Sequence, residues 1–71
     1  MKKLVVIDDE YLTIEGIRVM LKRIGADYEM AGSASDGQMA LELIENVHPD
    51  VVFIDIRMPG LSGLEVIEHF Y

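Results

Sequence analysis

The chain contains no cysteine. No disulfide can staple it and no thiolate can hold a structural metal. That matters because 71 residues bury only a modest core, and domains this small often need such support. Long apolar runs are also lacking. The longest, Leu4-Val5-Val6-Ile7 and Val51-Val52-Phe53-Ile54, stop at four residues, whereas a bilayer-spanning helix needs about 20. Met1-Lys2-Lys3 lead directly into one of these runs, with neither the apolar core nor the cleavage site of a secretion signal. The expected location is cytoplasmic, with no membrane contact. Basic residues are few: six Lys and Arg stand against 13 Asp and Glu, for a net charge of −7. Phosphate backbones are repelled by such a surface, so direct nucleic-acid binding is not expected. Most of these carboxylates read as ordinary solubilising charge, and the question is whether some converge. With 51% hydrophobic and 27% charged residues, the composition is that of one globular domain spanning 1–71.

Leu4-Val5-Val6-Ile7 is short, wholly apolar and mostly β-branched, as suits a strand buried on both faces. Apolar positions then recur at helical spacing at Ile17, Met20, Leu21 and Ile24. Gly16 falls on the same face, where it could permit close approach to a sheet, and Gly25 supplies the stop. Residues 28–34 read as a second strand, its pattern diluted by Ala31, Gly32 and Ser33. Asp36-Gly37 marks a turn, with Asp36 as cap of a helix that aligns Ala40, Leu41 and Ile44. Met39 and Leu43 widen that stripe beyond what one sheet contact needs, leaving room for a further contact. His48-Pro49-Asp50 breaks the helix, and residues 51–54 form a third strand. Met58-Pro59-Gly60 is a loop, and Ser62 can cap a last helix holding Leu64, Ile67 and Phe70. Three strand–helix units with short connections predict an α/β fold with a parallel sheet and right-handed crossovers. In such sheets chemistry gathers at the carboxyl ends of the strands.

Asp8-Asp9-Glu10 follow the first strand and Asp55 follows the third. Taken singly, an Asp after a strand reads as the cap of the next helix. Taken together, neighbouring strands would bring three aspartates into one crevice, where each like-charged pair costs about 4 kcal/mol at ~4 Å and an effective dielectric of ~20. A cation offsets that cost. Hard oxygen ligands without His or Cys point to Mg²⁺, with Mn²⁺ as the alternative. A carboxylate beside such an ion can act as nucleophile towards a phosphoryl group. Glu10 reads equally as a helix-start charge or a member of the site. His48 and His69 have no metal-ligand spacing and read as surface residues.

The runs LVVIDDE, SASDG and HPDVVFIDIRMPGLSGLE, in that order and spacing, resemble the receiver domain of bacterial two-component response regulators. The resemblance covers nearly the whole chain and implies a flavodoxin-like, doubly wound parallel sheet of strand order 2-1-3, truncated after the third of five units. It makes Asp55 the phosphoacceptor for a histidine kinase. It also implies that Asp9 ligates Mg²⁺, that Asp8 acts through a metal-bound water, and that Arg57 lends its backbone carbonyl. Arg57 replaces a small polar residue frequent in the family, a change expected to alter phosphate stability more than metal binding. Met58-Pro59 and Gly63 match the family's loop, where Pro fixes the backbone and Gly relaxes it. The wording around Asp36-Gly37 and Asp55 resembles receivers that control transcription. The protein is thus expected to be a signalling phosphoacceptor rather than an enzyme.

The family's later units carry a Thr or Ser and a Lys that read and pair with the phosphoryl group, and this chain has neither unit. The strand at 51–54 would then lie at an edge, with unpaired backbone that invites pairing with another chain. Either copies associate through it, as a half-receiver without signalling output, or the chain is part of a longer protein. A haloacid-dehalogenase-type phosphatase is a third reading, but it wants Asp two residues past the nucleophile, and position 57 is Arg.

Overall fold

The computed structural model describes residues 1–25, 27–57 and 62–70. The elements run β1 (Lys2–Ile7), α1 (Tyr11–Ile24), β2 (Tyr28–Ala34), α2 (Gly37–Val47), β3 (Val51–Ile54) and α3 (Gly63–Phe70). All strands are parallel, in the order β2-β1-β3. The parallel α/β sheet is the one expected from the alternation of patterns, and its strand order is the flavodoxin-like one that the family resemblance implied. The chain steps outward from β1 to β2 and then returns across β1 to β3. With right-handed crossovers, that reversal puts α1 on one face of the sheet and α2 and α3 on the other.

The core follows from the pleat of β1. Residues 4 to 7 are all buried, and successive side chains point to opposite faces. Leu4 and Val6 meet Ile14 of α1, with Ile17 and Leu21 packed beside them. Val5 and Ile7 meet Ala34, Ala40 of α2 and Val66 of α3. The continuous apolar run at 4–7 was therefore the right sign of a strand covered on both sides.

Three details differ from the pattern of the sequence. On α1 the inward stripe is Ile14, Ile17 and Leu21, while Met20 and Ile24 are exposed. Met20 lies about 100° around the helix from Leu21, and Ile24 sits in the last turn. Gly16 is not against the sheet: it is exposed, and a Cβ there would meet nothing within 4 Å. On α3 the buried side chain is Val66, whereas Leu64, Ile67 and Phe70 are at least a third exposed. The helix stops were legible: Gly25 adopts φ 63° and donates its N–H to the Leu21 carbonyl. His48 ends α2 in the same left-handed region, at φ 52°, despite the strain a non-glycine residue carries there. The Asp36 carboxylate accepts from the Met39 N–H at 2.8 Å, capping α2 as expected. The Glu65 N–H likewise reaches the Ser62 hydroxyl at 3.3 Å. Leu43 belongs to the sheet contact itself, packing on the face of Gly32 in β2, where an added Cβ would lie 2.8 Å from Leu43 Cδ1; Met39 stays exposed. Among the described residues no helix is long and apolar enough to cross a membrane.

Candidate functional site

The ladder between β1 and β3 pairs Leu4 with Val51 through to Ile7 with Ile54. It continues one step past the strands. The Asp55 N–H donates to the Ile7 carbonyl at 2.8 Å, and on the other side of β1 the Asp8 N–H donates to the Ala34 carbonyl at 3.0 Å. This register makes Asp8 and Asp55 neighbours at the carboxyl end of the sheet. The site also falls where the strand order reverses, the place at which open α/β sheets form a crevice.

Carboxylate oxygens of Asp8, Asp9 and Asp55 all lie within 4.8 Å of one another. Asp8 and Asp55 are half-buried and Asp9 is exposed. Two of the three are fixed by the same local device. The Asp8 carboxylate accepts from the Glu10 N–H, and the Asp55 carboxylate from the Arg57 N–H, each at 2.9 Å. Neither Asp8 nor Asp9 caps α1. The cap position is Glu10, in extended backbone, and it makes no side-chain cap bond. A capping role for these aspartates is thereby removed. The donor set is all oxygen, with no His or Cys, and its carboxylate atoms converge within 4.8 Å of one another, the ligand chemistry that hard divalent cations take. It therefore fits Mg²⁺ or Mn²⁺. Shallow cavities flank the carboxylates on both sides: one of about 330 Å³ shared by Asp8 and Asp55 beside Phe53, and one of about 230 Å³ shared by Asp8, Asp9 and Tyr11 beside the end of β2.

Gly63 serves the site in a way the sequence pattern did not identify. A Cβ there would sit 2.5 Å from the Asp55 carbonyl oxygen and 2.8 Å from Ile56 Cα. Its N–H also donates to the Ile56 carbonyl at 3.2 Å. The glycine is needed for close approach of α3 to the backbone that carries Asp55, not for a relaxed loop; its φ is not positive. The loop Met58-Pro59-Gly60 lies outside the described residues. Glu10 contributes its N–H to Asp8 while its side chain stays exposed. Both histidines are exposed and outside the acidic cluster, but His69 is not idle: its Nε2 lies 3.3 Å from Glu45 Oε1, bridging α3 to α2.

A family model, that of the response regulator receiver domain, matches residues 4–70. An uncharacterized response regulatory protein of Vibrio cholerae is 45% identical over 62 residues, which are 87% of this chain and 24% of that protein. The positive alginate biosynthesis regulatory protein of Pseudomonas aeruginosa is 43% identical over 61 residues, 86% of this chain and 25% of its own. Among solved structures, the REC domain of AraT, a response regulator from Geobacillus stearothermophilus, superposes with a TM-score of 0.88 at 35% identity. That match covers 96% of this chain and 53% of the other. The chain thus spans about a quarter of these curated relatives and about half of that solved domain.

Proposed function

The chain belongs to the response regulator receiver domain family of two-component systems, and on that premise we propose that Asp55 accepts a phosphoryl group from the phosphohistidine of a partner histidine kinase. A carboxylate oxygen of Asp55 forms the new bond to phosphorus as the phosphorus–nitrogen bond of the donor breaks. The leaving imidazole nitrogen keeps the electron pair and takes up a proton. Asp9 and Asp55 would hold Mg²⁺, or Mn²⁺ in its place, with Asp8 acting through a bound water and Arg57 through its backbone carbonyl. When bound, the ion neutralises charge that develops on the phosphoryl oxygens. Asp55 is the nucleophile because it closes β3 at the switch point and its second oxygen is steadied by the Arg57 N–H. The carrying observation is the convergence of Asp8, Asp9 and Asp55 within 4.8 Å, with neither Asp8 nor Asp9 spent on capping α1. The role is that of a cytoplasmic phosphoacceptor in a relay, not of an enzyme. Control of transcription through another region is supported by relatives named as regulatory proteins. The net charge of −7 argues against nucleic-acid binding by this part. Membership of the family leaves the haloacid-dehalogenase reading without support.

Incubation with Mg²⁺ and a small phosphodonor, followed by mass mapping, tests the assignment. Label is expected on the peptide containing Asp55 and absent from Asp55→Asn. Label that persists in the variant removes Asp55 from this role.

A second reading is favoured by one observation: among the described residues β3 is an edge strand whose outer backbone is unpaired, with Phe53 47% exposed beside it. In that reading copies of the chain associate along residues 51–54.

A further inference from the structure

We infer that Tyr11, Glu15 and Arg18 form a positioning ladder that orders the first turn of α1 and so holds Asp9 ready for a divalent cation. The inference rests on the reading of Asp8, Asp9 and Asp55 as a cation site. Its starting point is an asymmetry among those carboxylates. Asp8 and Asp55 are each pinned by a backbone N–H two residues on. Among the described residues, Asp9 has no side-chain hydrogen bond and is exposed. Its placement therefore depends on the segment that follows, and α1 begins only two residues later, at Tyr11.

That helix start is weakly secured. Glu10 at the cap position makes no side-chain bond to the first turn, and the first turn holds no acidic residue to favour its exposed N–H groups. An uncapped turn tends to fray. The ladder takes the place of the cap. The Tyr11 hydroxyl donates to Glu15 Oε1 at 2.9 Å, and Arg18 Nε donates to Glu15 Oε2 at 2.8 Å. Positions 11, 15 and 18 lie on one helix face, so the two bonds tie the first turn to the two behind it. Arg18, followed by Tyr11, lowers the Glu15 carboxyl below its ordinary pKa, so the rung residue is held as a carboxylate acceptor. Tyr11 also touches the site itself, as a wall of the cavity it shares with Asp8 and Asp9.

The test is calorimetric titration of Mg²⁺ alone into the wild-type chain and into Glu15→Ala, Glu15→Gln and Tyr11→Phe, with thermal unfolding in chelator as a second readout. Removing the ladder in Glu15→Ala is expected to weaken Mg²⁺ binding about fivefold, less than loss of a group bonded directly to a ligand. Tyr11→Phe loses one rung and is expected to weaken it about twofold on the same scale. Glu15→Gln removes the same charge as Ala but keeps both contacts, its amide oxygen accepting from Arg18 and its amide N–H donating to Tyr11. It should recover most of the affinity. Metal-free melting should fall by less than about 4 °C in each, because the groups are exposed. Wild-type affinity in Glu15→Ala overturns the inference. So does a Gln variant as weak as Ala, since long-range charge would then be the cause. A wild-type chain that binds no Mg²⁺ overturns the cation-site reading and the ladder with it. Normal wild-type binding with unchanged variants overturns the ladder alone.

Discussion

The two edges of this sheet are built to opposite ends. β2 carries Glu29 and Ser33 among small residues, and its pairing with β1 slips between Leu4 and Val5, leaving Ala31 as an extra residue. A bulge of this kind twists an edge and spoils it as a template for another strand. β3 has none of these protections. Its four residues are apolar, its ladder to β1 is regular, and Val52 and Ile54 open with Ile67 and Phe70 onto a groove between α2 and α3. The protected edge lies away from the switch point. The unprotected edge carries Asp55 at its end. The acidic site is thus fixed from one side by β1 and by α3, while among the described residues no strand pairs with the outer side of β3.

The largest expected effect separates the edges through their glycines. Gly63 faces backbone at the end of β3, where a Cβ would collide with the Asp55 carbonyl at 2.5 Å. Gly32 on β2 faces the flexible tip of Leu43 at 2.8 Å. Backbone cannot yield without moving α3, so Gly63→Ala is expected to cost about 2–3 kcal/mol by overpacking. Gly32→Ala should cost less than about 1 kcal/mol, since a rotamer change in Leu43 absorbs the added methyl. Urea unfolding of both variants measures the contrast. Equal losses would mean that the two approaches are equivalent and the β3 end is not specially constrained.

The same contrast accounts for what could be read from the sequence. The strand at 4–7 and its two-sided cover were legible because four apolar, mostly β-branched residues between charged neighbours suit little but a buried strand. The convergence of Asp8, Asp9 and Asp55 was legible on the condition that the first and third strands are neighbours, an adjacency that the family resemblance supplied and the β1–β3 ladder bears out. The weak pattern at 28–34 was a bulge in disguise. Before Ala31, Tyr28 and Met30 face the α1 side with Leu4; after it, Gly32 and Ala34 face the α2 side with Val5 and Ile7. Simple alternation cannot show such a switch. On α1, Ile17 and Leu21 were found but Met20 and Ile24 were included in error, because an apolar stripe wider than the contact does not mark its own centre. Gly16 was misplaced with them. Gly63 needed three-dimensional information, since its neighbours Ile56 and Asp55 are well back along the chain.

Self-association tests the exposed edge itself. Sedimentation of the wild-type chain is expected to show concentration-dependent dimers, and Phe53→Lys to shift their dissociation constant at least about tenfold, as edge lysines oppose strand pairing. Glu29→Val at the bulged edge should leave the constant unchanged. Charge sets a further condition. Antiparallel pairing of residues 51–54 with a second copy would bring Asp50 of one chain beside Asp55 of the other, and each chain carries a net charge of −7. Raised salt should therefore strengthen association by screening. A monodisperse monomer throughout the concentration range would show that β3 is left uncovered by other copies.

The smallest effects lie at the amino ends of the two edges. β3 is tied there by a reciprocal pair: the Asp50 N–H donates to the Lys3 carbonyl at 2.8 Å, and the Lys3 N–H donates to the Asp50 carboxylate at 2.7 Å. The second bond is charge-assisted and holds the start of β3 in register with β1. β2 has a looser tie, the Lys2 ammonium lying 5.8 Å from the centre of the Tyr28 ring in a cation–π contact open to water. Asp50→Ala is expected to cost about 1 kcal/mol in urea unfolding, less than the roughly 1.5–3 kcal/mol of a bond to a charged group because this one is exposed to water. Lys2→Ala should cost no more than about 0.5 kcal/mol. If the order is reversed, register at β3 is set by its apolar contacts alone, and Asp50 is a surface charge like most of the others.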